Sequence, residues 1–252
     1  MVKKMEENED KIRILLVYGK VLLECNFDLA EIRSDMYHLM NQMGLHHLSI
    51  FMTQTSLMLI DNTTDNVKMI KIDSYAYNFE KISHIHELVL QLSLKKISLQ
   101  EFYTALVAID KKSYAFSTPT QVVHAGIICG AMYSLINGWS NLVFVSFILG
   151  SFGYFCFLTC QKYLKIKLFT IFLYSIFITI CSMILYKVLH LHNDFALILS
   201  CMMPLFPGAT LVNAIRAGIN GDYIVSLSQG VEAINTALML GLPVAFLLTI
   251  AV

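Results

Sequence analysis

Arg216, Asp222 and Glu232 stand in otherwise apolar sequence near the end of this 252-residue chain. A carboxylate in hydrocarbon is costly and is normally kept for function, most simply by carrying a proton. A guanidinium there attracts carboxylates. Just before them, Pro204-Leu-Phe-Pro207-Gly208 interrupts a helical pattern. Pro204 removes the bond that the Ser200 carbonyl would accept, and Pro207 does the same to Met203. Freed carbonyls in hydrocarbon are tolerated only where protein or a water-filled cavity faces them, so a helix broken at the bilayer middle points to a solute site. At about 1.5 Å per residue, Pro204 falls roughly 15 Å inside its span.

Thr210, Asn213 and Arg216 follow on one helical face, at i, i+3 and i+6. On the next span Gln229, Glu232 and Thr236 share a side with Asn235 adjacent, and Glu232 falls about 8–10 Å inside the boundary. The candidate solute and proton pathway is therefore Pro204, Pro207, Gly208, Thr210, Asn213, Arg216, Asp222, Glu232 and Asn235. Each member also has a plainer reading. The prolines could shape packing alone, and Arg216 could be a membrane-boundary anchor. Asp222, after Asn220-Gly221, could cap the last helix, and Glu232 could pair with Arg216.

Other reactive residues carry less. His46-His47 precedes a strand, and His84-x-His86 lies in a helical pattern, where i, i+2 spacing turns the rings about 200° apart and denies them a shared metal. Cys156 and Cys160 share a helical face but have no further ligand nearby in sequence. Nucleophile–base motifs, phosphate loops and dinucleotide fingerprints are missing, so neither an enzyme nor a cofactor or metal is expected. Zero net charge argues against a nucleic-acid partner.

The elements that position these residues follow from an uneven charge distribution. Residues 1–118 hold 28 of the 36 charged side chains, and residues 119–252 hold the other 8. The second half lacks the polar residues needed to cover a water-facing surface. The fold class expected is an α-helical integral membrane protein with a small N-terminal cytosolic α+β domain. The boundaries are 1–115 for that domain and 116–252 for a transmembrane domain of about five helices. The spans read as 120–138, 141–160, 166–187, 194–215 and 226–251. The N-terminus does not read as a signal peptide, which leaves the first span to direct membrane insertion.

Lys111, Lys112, Lys162, Lys165, Lys167 and Arg216 flank one side, against Lys187 on the other, with Asp194 at the same outer rim. That asymmetry predicts a cytoplasmic N-terminus and an external C-terminus. Gly126, Gly130, Ser134 and Gly138 form a close-approach stripe on the first span, and Ser146 and Gly150 one on the second. The third span, nearly all bulky and apolar, is expected to face lipid. In the N-terminal part, two helical patterns over 12–42 precede strand-like runs at 48–53, 56–60 and 67–72. Asn26 and Asp28 are candidate caps, and Gly44 a candidate stop, for the second of those helices. Helices over 78–95 and 98–110 follow, the latter opened by the capping box Ser98-Leu-Gln-Glu101.

Leu22-Leu-Glu24, Gly44, Phe51-Met-Thr53 and Ser98-Leu-Gln-Glu101 resemble, in order and spacing, the threonine/serine exporter family. So do Pro207-Gly208-x-x-Leu211-x-Asn213-x-x-Arg216, Gly221-Asp222 and Glu232-Ala233, and the resemblance covers roughly 12–250. It implies a secondary transporter of the bacterial cytoplasmic membrane that exports small amino acids, with two-subunit relatives associated with succinate export. Two positions depart from it: Ala217, where an acidic residue often follows the arginine, and Asn26, where glycine is frequent. Long members carry a further membrane portion. The resemblance therefore implies a separate small membrane subunit for this chain, in a 1:1 hetero-oligomer within the lipid bilayer. A five-span unit joined by another would form an inverted repeat. Proton-driven export of threonine, serine or a small carboxylate is the leading expectation. The alternative is a channel or metabolite sensor whose cytosolic domain binds a ligand.

Overall fold

The computed structural model describes residues 2–73, 76–112, 114, 116–188 and 195–251. Asp194 lies outside the described residues. The chain forms two compact units: Met1–Ala115 with Arg216–Val225, and Phe116–Ile215 with Ser226–Val252.

In the first unit, α1 (Val2–Glu24) places Leu15, Tyr18 and Leu22 on one face, all fully buried. The turn into α2 (Leu29–Met43) is fixed by Asp28, whose Oδ1 accepts the N–H groups of Ala30 at 2.8 Å and Glu31 at 3.2 Å. Gly44, at φ +72°, ends α2 in the left-handed conformation that a side chain would resist. Alternating apolar residues then build β1 (Leu48–Thr53), β2 (Ser56–Asp61) and β3 (Val67–Lys71), antiparallel in chain order. Leu48, Met52, Leu57 and Leu59 turn into the core, while β3 is largely exposed.

Two helices complete this part of the chain, α3 (Phe79–Ser93) and α4 (Leu99–Lys111). Asn78 caps the first. A reciprocal capping box opens the second, with Ser98 N–H donating to Glu101 at 2.7 Å. The Ser98 hydrogen bonds hold the Glu101 carboxyl below its usual range.

The second unit contains α5 (Thr118–Asn137), α6 (Leu142–Leu164) and α7 (Lys167–Val188), followed by α8 (Phe195–Met202). After it come α9 (Gly208–Ile219) and α10 (Tyr223–Ala251), whose boundary segment 216–225 belongs to the first unit. Among the described residues, four helices are long and apolar enough to cross a membrane, and the bent pair α8–α9 makes a fifth candidate if counted as one span.

The helices α5 and α6 approach through their glycines. A methyl on Gly126 would meet the Ser151 hydroxyl and, at 2.8 Å, the Phe147 carbonyl; one on Gly150 would meet Cys129. Close backbone approach of this kind is how apolar helices associate without a hydrophobic driving force. The lipid-facing expectation for the third span is corrected. One face of α7 buries Thr170, Tyr174, Ser175, Ile178, Thr179 and Ser182. Its small polar residues recur at helical spacing and turn inward: Ser175 donates to the Leu240 carbonyl of α10, while Thr170 and Thr179 bond back to their own helix. By contrast, α10 is buried along a narrow stripe, Gln229, Ala233, Thr236 and Leu240, and exposes Leu227, Val231, Ile234 and Leu238.

Gly126→Ala is expected to lower stability by about 1–3 kcal/mol, because backbone rather than a flexible side-chain tip must yield. Gly230→Ala, where a methyl meets nothing within 4 Å, is expected to leave the thermal midpoint in detergent unchanged.

Candidate functional site

The two prolines separate α8 from α9, the bent pair that counts together as one candidate span. Helix α8 stops at Met202, a 3-10 turn covers Met203–Leu205, and Phe206 is extended before α9 begins at Gly208. The two helices are bent by 64°. Ser200 and Cys201, just before the break, are fully buried and bonded to three neighbouring helices. The Cys201 carbonyl accepts from the Tyr174 hydroxyl of α7 and from the Cys129 thiol of α5 at 4.0 Å. Ser200 and Ser146 hydroxyls meet at 2.9 Å, linking α8 to α6, and the Cys201 thiol donates to the Ser146 carbonyl at 3.7 Å. Polar groups at a broken membrane helix thus find protein partners, as the absence of water requires.

Beyond the break Thr210 is buried and Asn213 is half-buried. On α10, Glu232 pairs with Lys167, which opens α7, at 3.2 Å. The Thr236 hydroxyl donates to the Glu232 carbonyl at 2.9 Å, and Asn235 is half-buried beside them. One turn earlier, Gln229 is only 2% exposed. Its Oε1 accepts no hydrogen bond among the described residues. A buried acceptor in this condition costs about 1–3 kcal/mol unless a donor reaches it. Ser175 of α7 donates to the Leu240 carbonyl at 2.5 Å, so α7 holds α10 at two levels.

Arg216 and Asp222 lie elsewhere, in the first unit. The Arg216 guanidinium is shared between Asp28 and Glu31 of the α2 N-terminus, 3.5 Å from each. Asp222 receives Arg33 of α2 at 3.2 Å. Sequence reading grouped Arg216, Asp222 and Glu232 together; the fold gives the first two to α2 and the third to α7. Lys167 had been read as an orientation signal and Asp28 as a cap. Each also serves as a counter-charge. Opposite sign was the only available signal, and it does not say which partner is chosen. Among the described residues, no group of three or more His, Cys, Asp or Glu is placed to hold a metal ion.

Tyr174→Phe is expected to cost about 1–3 kcal/mol, because it leaves the buried Cys201 carbonyl with a weak thiol donor. Thermal unfolding in detergent measures it, and Tyr163→Phe, at an exposed ring, is the comparison expected to change nothing.

The family described as "Putative threonine/serine exporter" matches residues 13–251. Neither a curated protein nor a solved structure matches the chain. Members of that family are membrane-embedded transporters of small molecules rather than enzymes. With a match over almost the entire chain, carried by a unit of apolar helices around one broken span, this protein belongs to the threonine/serine exporter family.

Proposed function

We propose that this chain exports small hydroxylated amino acids, threonine and serine, or a small carboxylate such as succinate, driven by the proton-motive force. The observation that carries the reading is the broken α8–α9 pair with buried polar groups gathered about it. In an apolar bundle, such a break supplies backbone and side-chain partners for a polar solute. The orphaned Gln229 acceptor and the neighbouring Glu232 suit the ammonium group of an amino acid. Thr210, Asn213, Asn235 and Thr236 would line the rest of the path past Pro204, Pro207 and Gly208.

Glu232 is proposed as the proton carrier. Protonation cancels its attraction for Lys167 and so loosens the contact between α7 and α10. Arg216 and Asp222 are assigned a holding role, tying the turn between α9 and α10 to α2. The lysine distribution supports a cytoplasmic N-terminal domain and an external C-terminus, and membership of the exporter family suits a bacterial cell membrane. The exposed apolar side of α10 suits a second small membrane subunit in a hetero-oligomer.

Proteoliposomes containing the protein together with the small membrane subunit that co-purifies with it, loaded with labelled threonine, test the reading. Efflux should be saturable and should rise with an imposed pH gradient. Glu232→Gln is expected to cut it about tenfold or more and to abolish the pH response. Gln229→Leu is expected to raise the half-saturating concentration. Unchanged pH-dependent efflux in Glu232→Gln would remove the coupling role, and non-saturable flux in the wild type would favour a channel.

A further inference from the structure

A groove in the N-terminal unit lies apart from every residue assigned to the export path. It runs between α2 and α3 as an open surface groove of about 380 Å3, with Asp35 and Val89 its half-buried members and the rest of its lining exposed. One wall is polar: Glu31, Ser34 and Asp35 project from α2 at i, i+3 and i+4. The other wall, from α3, sets His86 and Ser93 at its ends with Val89 and Leu90 between them.

These groups are held in place from beneath. Asp35 Oδ2 accepts from the Tyr18 hydroxyl at 3.0 Å and lies 3.7 Å from His86 Nε2. Tyr18 is fully buried. Burial first, and the Asp35 charge second, push its phenol far above its ordinary range, so it stays a donor. Phe27 packs edge-on against the His86 ring at 5.2 Å. Gln42 donates to the Ser93 hydroxyl at 3.1 Å. Polar groups locked by supporting contacts are the condition for a preorganised binding site.

The lining specifies the ligand. Of its two carboxylates Glu31 is already shared with Arg216, which leaves Asp35 to receive a cation. The two serine hydroxyls suit a hydroxyl group, and Val89 with Leu90 offers contact for a methyl. Arg216, outside the lining, stands 3.5 Å from Glu31 and is half-exposed. We infer that this groove binds a small hydroxylated amino acid through its ammonium group, with Asp35 as the main counter-charge, making the N-terminal domain a sensor of the solute. The identity of the ligand rests on the proposed export function; the existence of the site does not. Because Glu31 also holds Arg216, a bound ligand that recruits Glu31 or Arg216 alters the hold of α2 on the turn between α9 and α10.

Hydrogen–deuterium exchange on the full-length protein in detergent tests this, with L-threonine as the probe. Threonine should slow exchange in peptides from 29–43 and 79–93, whereas N-acetyl-L-threonine, which lacks the ammonium charge, should not. Asp35→Asn retains an acceptor for Tyr18 and should weaken the half-saturating concentration for that protection by about tenfold, equivalent to ~1.4 kcal/mol. Glu31→Gln changes an exposed side chain that does not support the core and should also weaken it. No slowing in the wild type, or equal slowing in both variants, overturns the inference. Efflux is measured separately, in proteoliposomes of the protein with its co-purified small membrane subunit. Threonine efflux without groove protection overturns the sensor and leaves the exporter; groove protection without efflux does the opposite.

Discussion

A backbone carbonyl cannot be left without a partner in hydrocarbon, and the arrangement of the second unit follows from meeting that demand at one place. Pro204 and Pro207 end the regular ladder of the fourth span and bend it by 64°. The Cys201 carbonyl then needs donors from other helices, and it takes them from Tyr174 and Cys129. Cys129 can come that close because Gly150 faces it across the α5–α6 contact. Ser146, one turn before Gly150, thereby meets Ser200. The glycine stripe, the inward hydroxyls of α7 and the proline break are thus one solution to a single constraint.

Charge is sorted by the same logic. An isolated ion in an apolar setting is far costlier than a paired one, so each rare charge near the last two spans is met by an opposite one. Arg216 and Asp222 take α2 as their partner, in the first unit, and Glu232 takes Lys167, in the second. The pairs are partly exposed, so each contributes little to stability, about 0–1 kcal/mol. Their weight lies in position. The turn at Gly221 is fastened by two ion pairs of opposite polarity, with Arg216 reaching out to α2 and Arg33 reaching back from it.

Local chemistry was legible in the sequence wherever a residue type dictates backbone geometry. Asp28, Gly44, the Ser98–Glu101 box and the two prolines set boundaries that the structure reproduces, because caps and breaks act within four residues. The close-approach stripe at Gly126 was legible for the same reason. Two things were not. The face α7 buries is set by its neighbours, and Thr170, Ser175, Thr179 and Ser182 look unremarkable among so many isoleucines and phenylalanines. Charge partners were hidden by distance along the chain: Arg33 and Asp222 are separated by 189 residues. Grouping Arg216, Asp222 and Glu232 by nearness in sequence overlooked that a turn divides them.

Helix α7 deserves the place that the prolines seemed to hold. Lys167 at its start pairs with Glu232, Ser175 further along donates to Leu240, and Tyr174 between them holds the broken span through Cys201. Lys167 and Tyr174 are two turns apart, about 10 Å along the axis. Within that length one helix supplies the counter-charge of Glu232, a donor to the α10 backbone and a donor to the carbonyl at the break. The charge that could move a proton and the break that could hold a solute are joined by one continuous helix, with no need for a longer chain of side chains between them.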